Sequence, residues 1–353
     1  MIELDGSAGE GGGQILRTAL ALSLITGQAF RIDHIRAKRP KPGLMRQHLA
    51  CVQAAVAVGG GDASTRALGR DGHAPQVGET ALTFTPGAIA AGDHAFAVGS
   101  AGSCMLVLQT VLWPLLQASQ PSRLTLRGGT HNPMAPSTAF LQELAPYFAG
   151  QGGAPLFKID VRRHGFYPAG GGEVEVLVHP PADGLGRIEL MARGALREAY
   201  AECLHAGIPR GVAERELAVL QAELGWQGAQ LRDRALRANE GPGNALLAVL
   251  RYEHISEVFA SYGEKGLSAE RVASRLAQDV RAYQQHEAPV GPHLADQLMI
   301  PLALAALRGE AGRYWATEST GHLRTNAQVI AQFLPLHIEL QPWQGGVLVS
   351  CQA

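Results

Sequence analysis

The chain has 353 residues, 46% hydrophobic and 17% charged, which excludes a disordered protein and leaves room for two domains. A net charge of -1 gives no bulk basicity to mark nucleic acid, and no apolar run is long enough to cross a bilayer. The cysteines, Cys51, Cys104, Cys203 and Cys351, form no CxxC pair and no zinc spacing; they read as free thiols of a reducing cytoplasm. The opening "MIELDGSAGEGGG" lacks the basic and apolar pattern of an export signal, so a cytoplasmic protein is expected.

Glycine is over-represented, with 43 residues, and clusters at 11–13, 59–61 and 170–172, as tight turns or close approach to a ligand require. The first cluster enters an apolar helix at about 14–26, followed by an alternating strand at 30–35 and a second helix starting near Leu44. A second small-residue turn leads to a helix at about 104–117, a strand at 123–127 and a helix at about 137–148. Next comes "FKIDVRRHGFYPAGGGEVEVLVHP", alternating on both sides of a glycine turn, as a hairpin or bulge does. From about 184 to 287 the pattern predicts strands at 187–191, 245–251 and 254–260 and helices at about 212–224 and 268–283, with Ser268 as N-cap. The layout then returns: a helix at about 295–307, a strand near 314–317 and a helix from about Leu323.

Arg17, Gln109 and Gln297 hold similar places in the three first helices. The first gap is 92 positions and the second is 188. A repeat of about 90 residues explains the first gap. The second needs a repeat plus an insertion of about 100, an ordinary domain size. Helix pairs repeated on one side of a sheet give an α+β main body.

Five stretches carry candidate chemistry. "DGSAGEGGGQILR" is neither a Walker A loop nor GxGxxG; it is either a packed turn or a set of amides facing an anion. A carboxylate there would repel phosphate unless a divalent metal lay between, so Glu10 is a metal-ligand candidate. "RAKRPKPGLMRQHL" follows Arg31; together they set Arg31, Arg36, Lys38, Arg39, Lys41 and Arg46 against Asp33 alone. It reads as a solvated charge run or as a rigid phosphate clamp. In "THNPMAPSTAF", Pro133, Pro136 and Phe140 suit either core packing or a nucleobase sandwich. In "GPHLADQLMIPLALA", His293 and Gln297 share a helix face with Asp296, which suits a site, although Asp296 alone would suit the helix dipole. In "ESTGHLRTN", His322 opens a helix, and composition does not distinguish it from the other histidines among the 13.

Together these residues resemble the RNA 3'-terminal phosphate cyclase family over essentially the whole chain. "HGFYPAGGGEV" looks like the family signature, supported by "GEGGGQILR", "RPKPGLMRQHL", "GSAGSCMLVLQTVL", "NPMAPSTAF", "GPGN", "HLADQL" and "GHLRTN". The resemblance implies ATP-dependent conversion of an RNA 3'-phosphate to a 2',3'-cyclic phosphate, with His322 as a nucleophile that becomes adenylylated. It implies ATP and a divalent metal, Mg or Mn, with Glu10 contacting the metal. Arg17, Arg36, Arg39 and Gln47 match positions around the phosphates and the RNA end. Gln109, Pro136, Phe140, His293, Leu294, Ala295, Asp296 and Gln297 match the ATP pocket, with adenine between Phe140, Pro136 and the side chain at 293. Some relatives have tyrosine where this chain has His293, and imidazole stacks with less area.

The implied fold is α+β: a large domain of three repeats, each two helices on a four-stranded sheet, at 1–183 and 288–353, and a smaller α+β domain inserted at 184–287. RNA 3'-phosphate ends are the implied partners, no membrane is expected, and monomer and homodimer stay open. Two other classes share the architecture. A non-enzymatic cyclase-like protein of ribosome assembly would lack the nucleophile, which His322, Glu10 and Arg17 argue against. An enolpyruvyl transferase would ignore ATP.

Overall fold

The computed structural model describes residues 1–61, 66–148 and 154–353. Three four-stranded sheets in it share one plan. In the first, β1 (Ile2–Asp5) leads through helix α1 (Gln14–Thr26) to β2 (Phe30–Asp33), its parallel partner. Helix α2 (Arg46–Val58) follows, then β3 (Arg66–Leu68) and β4 (Leu82–Thr85), with β4 antiparallel to both β2 and β3. The second sheet repeats this with β5 (Asp93–Ala97), α3 (Cys104–Leu115), β6 (Ser122–Gly128), α4 (Thr138–Leu144), β7 (Phe157–Arg163) and β8 (Gly172–Val178). β5 and β6 are parallel, and β8 lies antiparallel between β6 and β7.

The third sheet begins with β9 (Glu189–Leu190) and is then interrupted. The interruption holds β10 (Leu196–Ala206), α5 (Gly211–Leu224), β11 (Leu231–Ala235), β12 (Gly243–Tyr252), β13 (Ser256–Tyr262) and α6 (Ala269–Gln285). These strands form their own sheet, in the order β11-β10-β12-β13. The chain then resumes the third repeat with α7 (Pro292–Gln297), α8 (Met299–Ala306), β14 (Gly312–Ala316), α9 (Gly321–Phe333), β15 (His337–Trp343) and β16 (Gly346–Gln352). The sequence pattern puts the strand at 187–191 inside the insertion. In the structure Glu189 and Leu190 pair in parallel with Arg313 and Tyr314, so the inserted unit enters after the third repeat's first strand and ahead of its helices. The helix expected from 295 starts earlier, at Pro292, where the missing N–H is one the first helical turn leaves unpaired anyway.

Sequence patterning explains the layers. β8 buries every second residue, placing Val174, Val176 and Val178 against the helices. Helix α3 reads CMLVLQTVLWPL and is buried on nearly every side. It packs on α1 and α2, and α1 packs on α9, so helices of all three repeats share one core. The inserted unit has a second core, into which α6 sends Val272, Leu276, Val280 and Tyr283 from one face. Removing one such side chain, as in Leu276→Ala, would cost about 2–5 kcal/mol.

Candidate active site

Two close backbone approaches build the site. Gly9, at φ +52°, lies so near α9 that a Cβ would stand 1.9 Å from Thr325 Oγ1. Gly321 opens α9, and a Cβ there would meet Glu10 Oε1 at 2.7 Å. The glycine turn of the first repeat is thus pressed against a helix start of the third. Thr320 caps that helix, its Oγ1 accepting the Leu323 N–H at 3.0 Å. His322 sits in the first turn, facing the glycine loop.

His322 Nε2 lies 2.8 Å from Glu10 Oε2, and Nδ1 lies 2.5 Å from Gln14 Oε1. The Gln14 amide nitrogen donates to Asp296 Oδ1. Asn326 Nδ2 donates to the same oxygen at 3.0 Å, and Gln297 Nε2 donates to Asp296 Oδ2 at 3.2 Å. Three amide donors therefore converge on the Asp296 carboxylate. Its hold on the Gln14 nitrogen leaves Gln14 Oε1 to accept from Nδ1, while Nε2 faces a second acceptor, the Glu10 carboxylate. Thr18 Oγ1 donates to Asn326 Oδ1 at 2.8 Å, and Gln109 Nε2 donates to Gln297 Oε1, which extends the network across all three repeats.

Beside this network is a cavity of ≈ 40 Å³ lined by Arg17 of α1, Gln109 of α3, and Asp296 and Gln297 of α7. Arg17, Gln109 and Gln297 are the residues that the repeat spacing puts in register. Burial lowers the Arg17 guanidinium pKa, an effect opposed by Cys51 and Asp296. Burial raises the Asp296 carboxyl pKa, opposed by His322, the Gln14 hydrogen bond and Arg17.

The remaining candidates divide. Arg39 Nη2 lies 3.6 Å from Glu10 Oε2, and Lys38 Nζ donates to Gly9 O at 2.8 Å, so part of the basic loop lies over the glycine turn. Arg36 points elsewhere: its Nη1 donates to Lys41 O at 2.6 Å and Gly43 O at 2.9 Å, tying the loop to itself. Gln47 Oε1 accepts the Ser103 N–H at 3.3 Å, linking α2 to the second glycine turn. Phe140 is 8% exposed, with its N–H on Ser137 Oγ, and Pro136 is half-buried beside that helix start. His293 is exposed, whereas Leu294 and Ala295 are buried, with Ala295 O accepting Tyr314 O–H at 2.5 Å. Among the described residues no ring contact joins His293 to Phe140.

Gln14, Thr18 and Asn326 belong to the network and were not among the sequence candidates. Their signal is positional: Asn326 follows His322 by one helical turn, and Gln14 ends the glycine run. His48 is a further buried partner. Burial, with Arg17 and Arg36 nearby, pushes its pKa down to about 3, and its Nδ1 accepts the Met45 N–H at 3.2 Å. Among the described residues no cluster of three or more His, Cys, Asp or Glu is arranged to hold a metal. Glu10 stands as a single carboxylate, 36% exposed. That suits Mg or Mn held jointly with substrate phosphates and water.

A family model described as RNA 3'-terminal phosphate cyclase matches residues 8–340. The RNA 3'-terminal phosphate cyclase of Ralstonia nicotianae is 47% identical over 352 residues, covering 99% of this chain and 96% of that protein. That of Salmonella enteritidis is 46% identical over 350 residues, covering 99% and 98%. That of Pseudomonas fluorescens is 44% identical over 355 residues, covering 100% and 98%. None of the described helices is long and apolar enough to cross a membrane.

Proposed function

The chain belongs to the RNA 3'-terminal phosphate cyclase family, and on that premise we propose that it converts an RNA 3'-phosphate to a 2',3'-cyclic phosphate, using ATP and a covalent histidine-AMP intermediate. His322 Nε2 attacks the α-phosphorus of ATP. A P–N bond forms, the bond to the bridging oxygen breaks, and diphosphate leaves. The RNA 3'-phosphate then attacks the same phosphorus, the P–N bond breaks, and the end is adenylylated. The vicinal 2'-OH attacks the activated 3'-phosphorus, loses its proton and expels AMP. A phosphate monoester dianion has no good leaving group, so adenylylation supplies one and splits a hard step into easier ones. Ring closure is intramolecular, which favours it by proximity.

The observation that carries this reading is the fixed imidazole: Gln14 holds Nδ1 while Nε2 faces Glu10, and a metal taken up by Glu10 would leave Nε2 free to attack. Glu10 would hold the divalent metal, which when bound would neutralise charge at the crowded phosphates. Arg17, Arg36, Arg39 and Gln47 serve the phosphates and the RNA end, with Arg36 acting through the shape of its loop. Gln109 and the segment His293, Leu294, Ala295, Asp296 and Gln297 serve ATP. Adenine lies between Phe140, Pro136 and His293. On the same reading the small domain runs from after β9, whose Glu189 and Leu190 stay with the third repeat, to about 287, and the protein is cytoplasmic.

The test is labelling. The purified protein is incubated with α-labelled ATP and Mg or Mn, denatured, and assayed for acid-labile, alkali-stable label. We expect label that disappears in His322→Ala. Label persisting in that variant would remove His322 as nucleophile, and no label on the unaltered protein would remove the covalent mechanism.

A further inference from the structure

A second glycine turn faces a larger opening. A groove of ≈ 610 Å³ lies between the turn at 99–101 and the signature turn at 169–172, with Arg127, Arg162 and Arg163 against the single carboxylate of Glu173 in its lining. We propose that this groove binds the phosphodiester backbone of the RNA strand leading into the reacting 3' end. The proposal rests on the cyclase reading above and names a binding surface that the reading does not supply.

Charge comes first. Arg127 Nε pairs with Glu173 Oε2 at 2.7 Å, and Arg162 Nη2 meets Glu175 Oε1 at 3.2 Å. Their side chains stay 64% and 55% exposed, so donors remain open to a phosphate. Arg163 Nη2 donates to Asn239 O in the inserted unit, yet its buried Nε has no partner among the described residues. Ser103 Oγ and Asn132 Oδ1 also lack partners there, while Asn132 Nδ2 holds Ala101 O at 2.6 Å. Two unpaired donors, Arg163 Nε and Ser103 Oγ, therefore lie near this turn, whereas Asn132 Oδ1 is an acceptor and offers nothing to a phosphate. Shape comes second. Gly171, at φ +76°, has open space where a Cβ would stand, so a polymer backbone can pass close to the turn.

Connection to the reacting histidine comes third. Arg46 Nη1 donates to Gly99 O at 3.0 Å, and Gln47 holds the Ser103 N–H, so the groove's floor is clamped to the start of α2. The basic loop ahead of α2 reaches Gly9 and Glu10 through Lys38 and Arg39, and Glu10 touches His322. The first repeat's turn faces a helix start of the third, and the second repeat's turn faces a helix start of the first. The groove is thus the neighbouring repeat's counterpart of the His322 site, joined to it by a cationic loop. A strand whose 3' end sits at His322 would follow that loop into the groove.

The experiment uses the full chain and fluorescently labelled RNAs carrying a 3'-phosphate, one a dinucleotide and one of roughly twelve nucleotides, a length within the site sizes of single-strand binders. In Arg127→Gln/Arg162→Gln, binding of the longer RNA should weaken roughly tenfold. Its salt slope should shrink by about 1.4, two phosphate contacts at about 0.7 each. Dinucleotide binding, ATP self-labelling and the thermal midpoint should stay as in the unaltered protein. The single variant Arg162→Glu should act in the same direction. Unchanged affinity and salt slope for the longer RNA in both variants would overturn the proposal. Equal losses for both RNAs would place these arginines at the end rather than along the strand, and would also overturn it. Absent self-labelling in the unaltered protein would count against the cyclase mechanism, while the binding data would still decide the groove.

Discussion

Gln14 Oε1 lies 2.5 Å from His322 Nδ1, while the other end of the same amide is held by Asp296. One side chain thus engages Nδ1 and sets the ring orientation that points Nε2 at Glu10. Replacing it by an isosteric apolar group, Gln14→Met, removes the hold without emptying the space. The freed ring rotation should lower the self-labelling rate by about 10²–10⁴-fold, the range seen when a catalytic histidine loses its orienting partner or a positioned proton-transfer group is lost. ATP binding, measured by equilibrium titration, should change far less. A labelling rate within a factor of about two of the unaltered protein would show that the helix start alone orients His322.

Much of this was legible in the sequence, for identifiable reasons. The register of Arg17, Gln109 and Gln297 follows from helices entered by small-residue turns, and the three side chains line one cavity. The alternation in "GEVEVLV" reads directly as β8. By contrast, β9 has two residues, too few for any period, so its place in the third sheet is set by pairing with β14 alone. Gln14 and Asn326 escape because single polar residues on apolar helices look alike until the helices are packed. Arg36 and Arg39 look equivalent in "RAKRPKPG". Only the folded loop turns one guanidinium onto its own carbonyls and the other towards Glu10.

That difference makes a second prediction. Arg39→Ala should raise the KM for an RNA 3'-phosphate about tenfold, as the loss of a charge-assisted hydrogen bond of roughly 1.5–3 kcal/mol allows. Its thermal midpoint should not move, because the side chain is partly exposed and makes only a long ion pair. Arg36→Ala should behave oppositely, lowering the midpoint, since it leaves the Lys41 and Gly43 carbonyls without their donor. Steady-state kinetics beside a melting curve separates the two. The same midpoint shift in both would return the loop to a purely structural role.

Glu240 joins the inserted unit to the signature segment. Its Oε2 accepts the His164 N–H at 2.7 Å and faces His164 Nδ1 at 3.0 Å, and Arg237 Nε donates to Oε1 at 2.5 Å. Burial pushes the carboxyl pKa up, but the hydrogen bonds from Arg237 and His164 outweigh it and bring it down to about 2 from an ordinary 4.5. A depressed carboxyl contributes stability that is present above its unfolded value and lost as pH falls towards its folded one. Folding free energy should therefore drop between about pH 5 and pH 2, and Glu240→Gln should show a shallower acid limb. Urea titrations at several pH values read this directly. Parallel acid limbs for the two proteins would mean that other carboxylates carry the loss.

Glu257 on β13 carries the opposite sign. It is 2% exposed, and its Oε1 accepts the N–H of Gly291, the N-cap of α7 and the start of the segment bearing His293 and Asp296. Burial raises its carboxyl pKa to about 8, opposed by the Gly291 hydrogen bond and by Arg193. In the unfolded chain it ionises near the ordinary 4.5, whereas in the folded protein it keeps its proton up to about pH 8. The unfolded state binds fewer protons across that window, so this group makes stability fall as pH rises from about 4.5 to 8. The slope is at most about 1.4 kcal/mol per pH unit, and it flattens above the folded value. Glu257→Gln keeps an amide oxygen for the Gly291 N–H and removes the titration. The variant should match the unaltered protein near pH 5 and become the more stable of the two by pH 8. A stability difference that does not change with pH would show that Glu257 is ionised in the folded protein despite its burial.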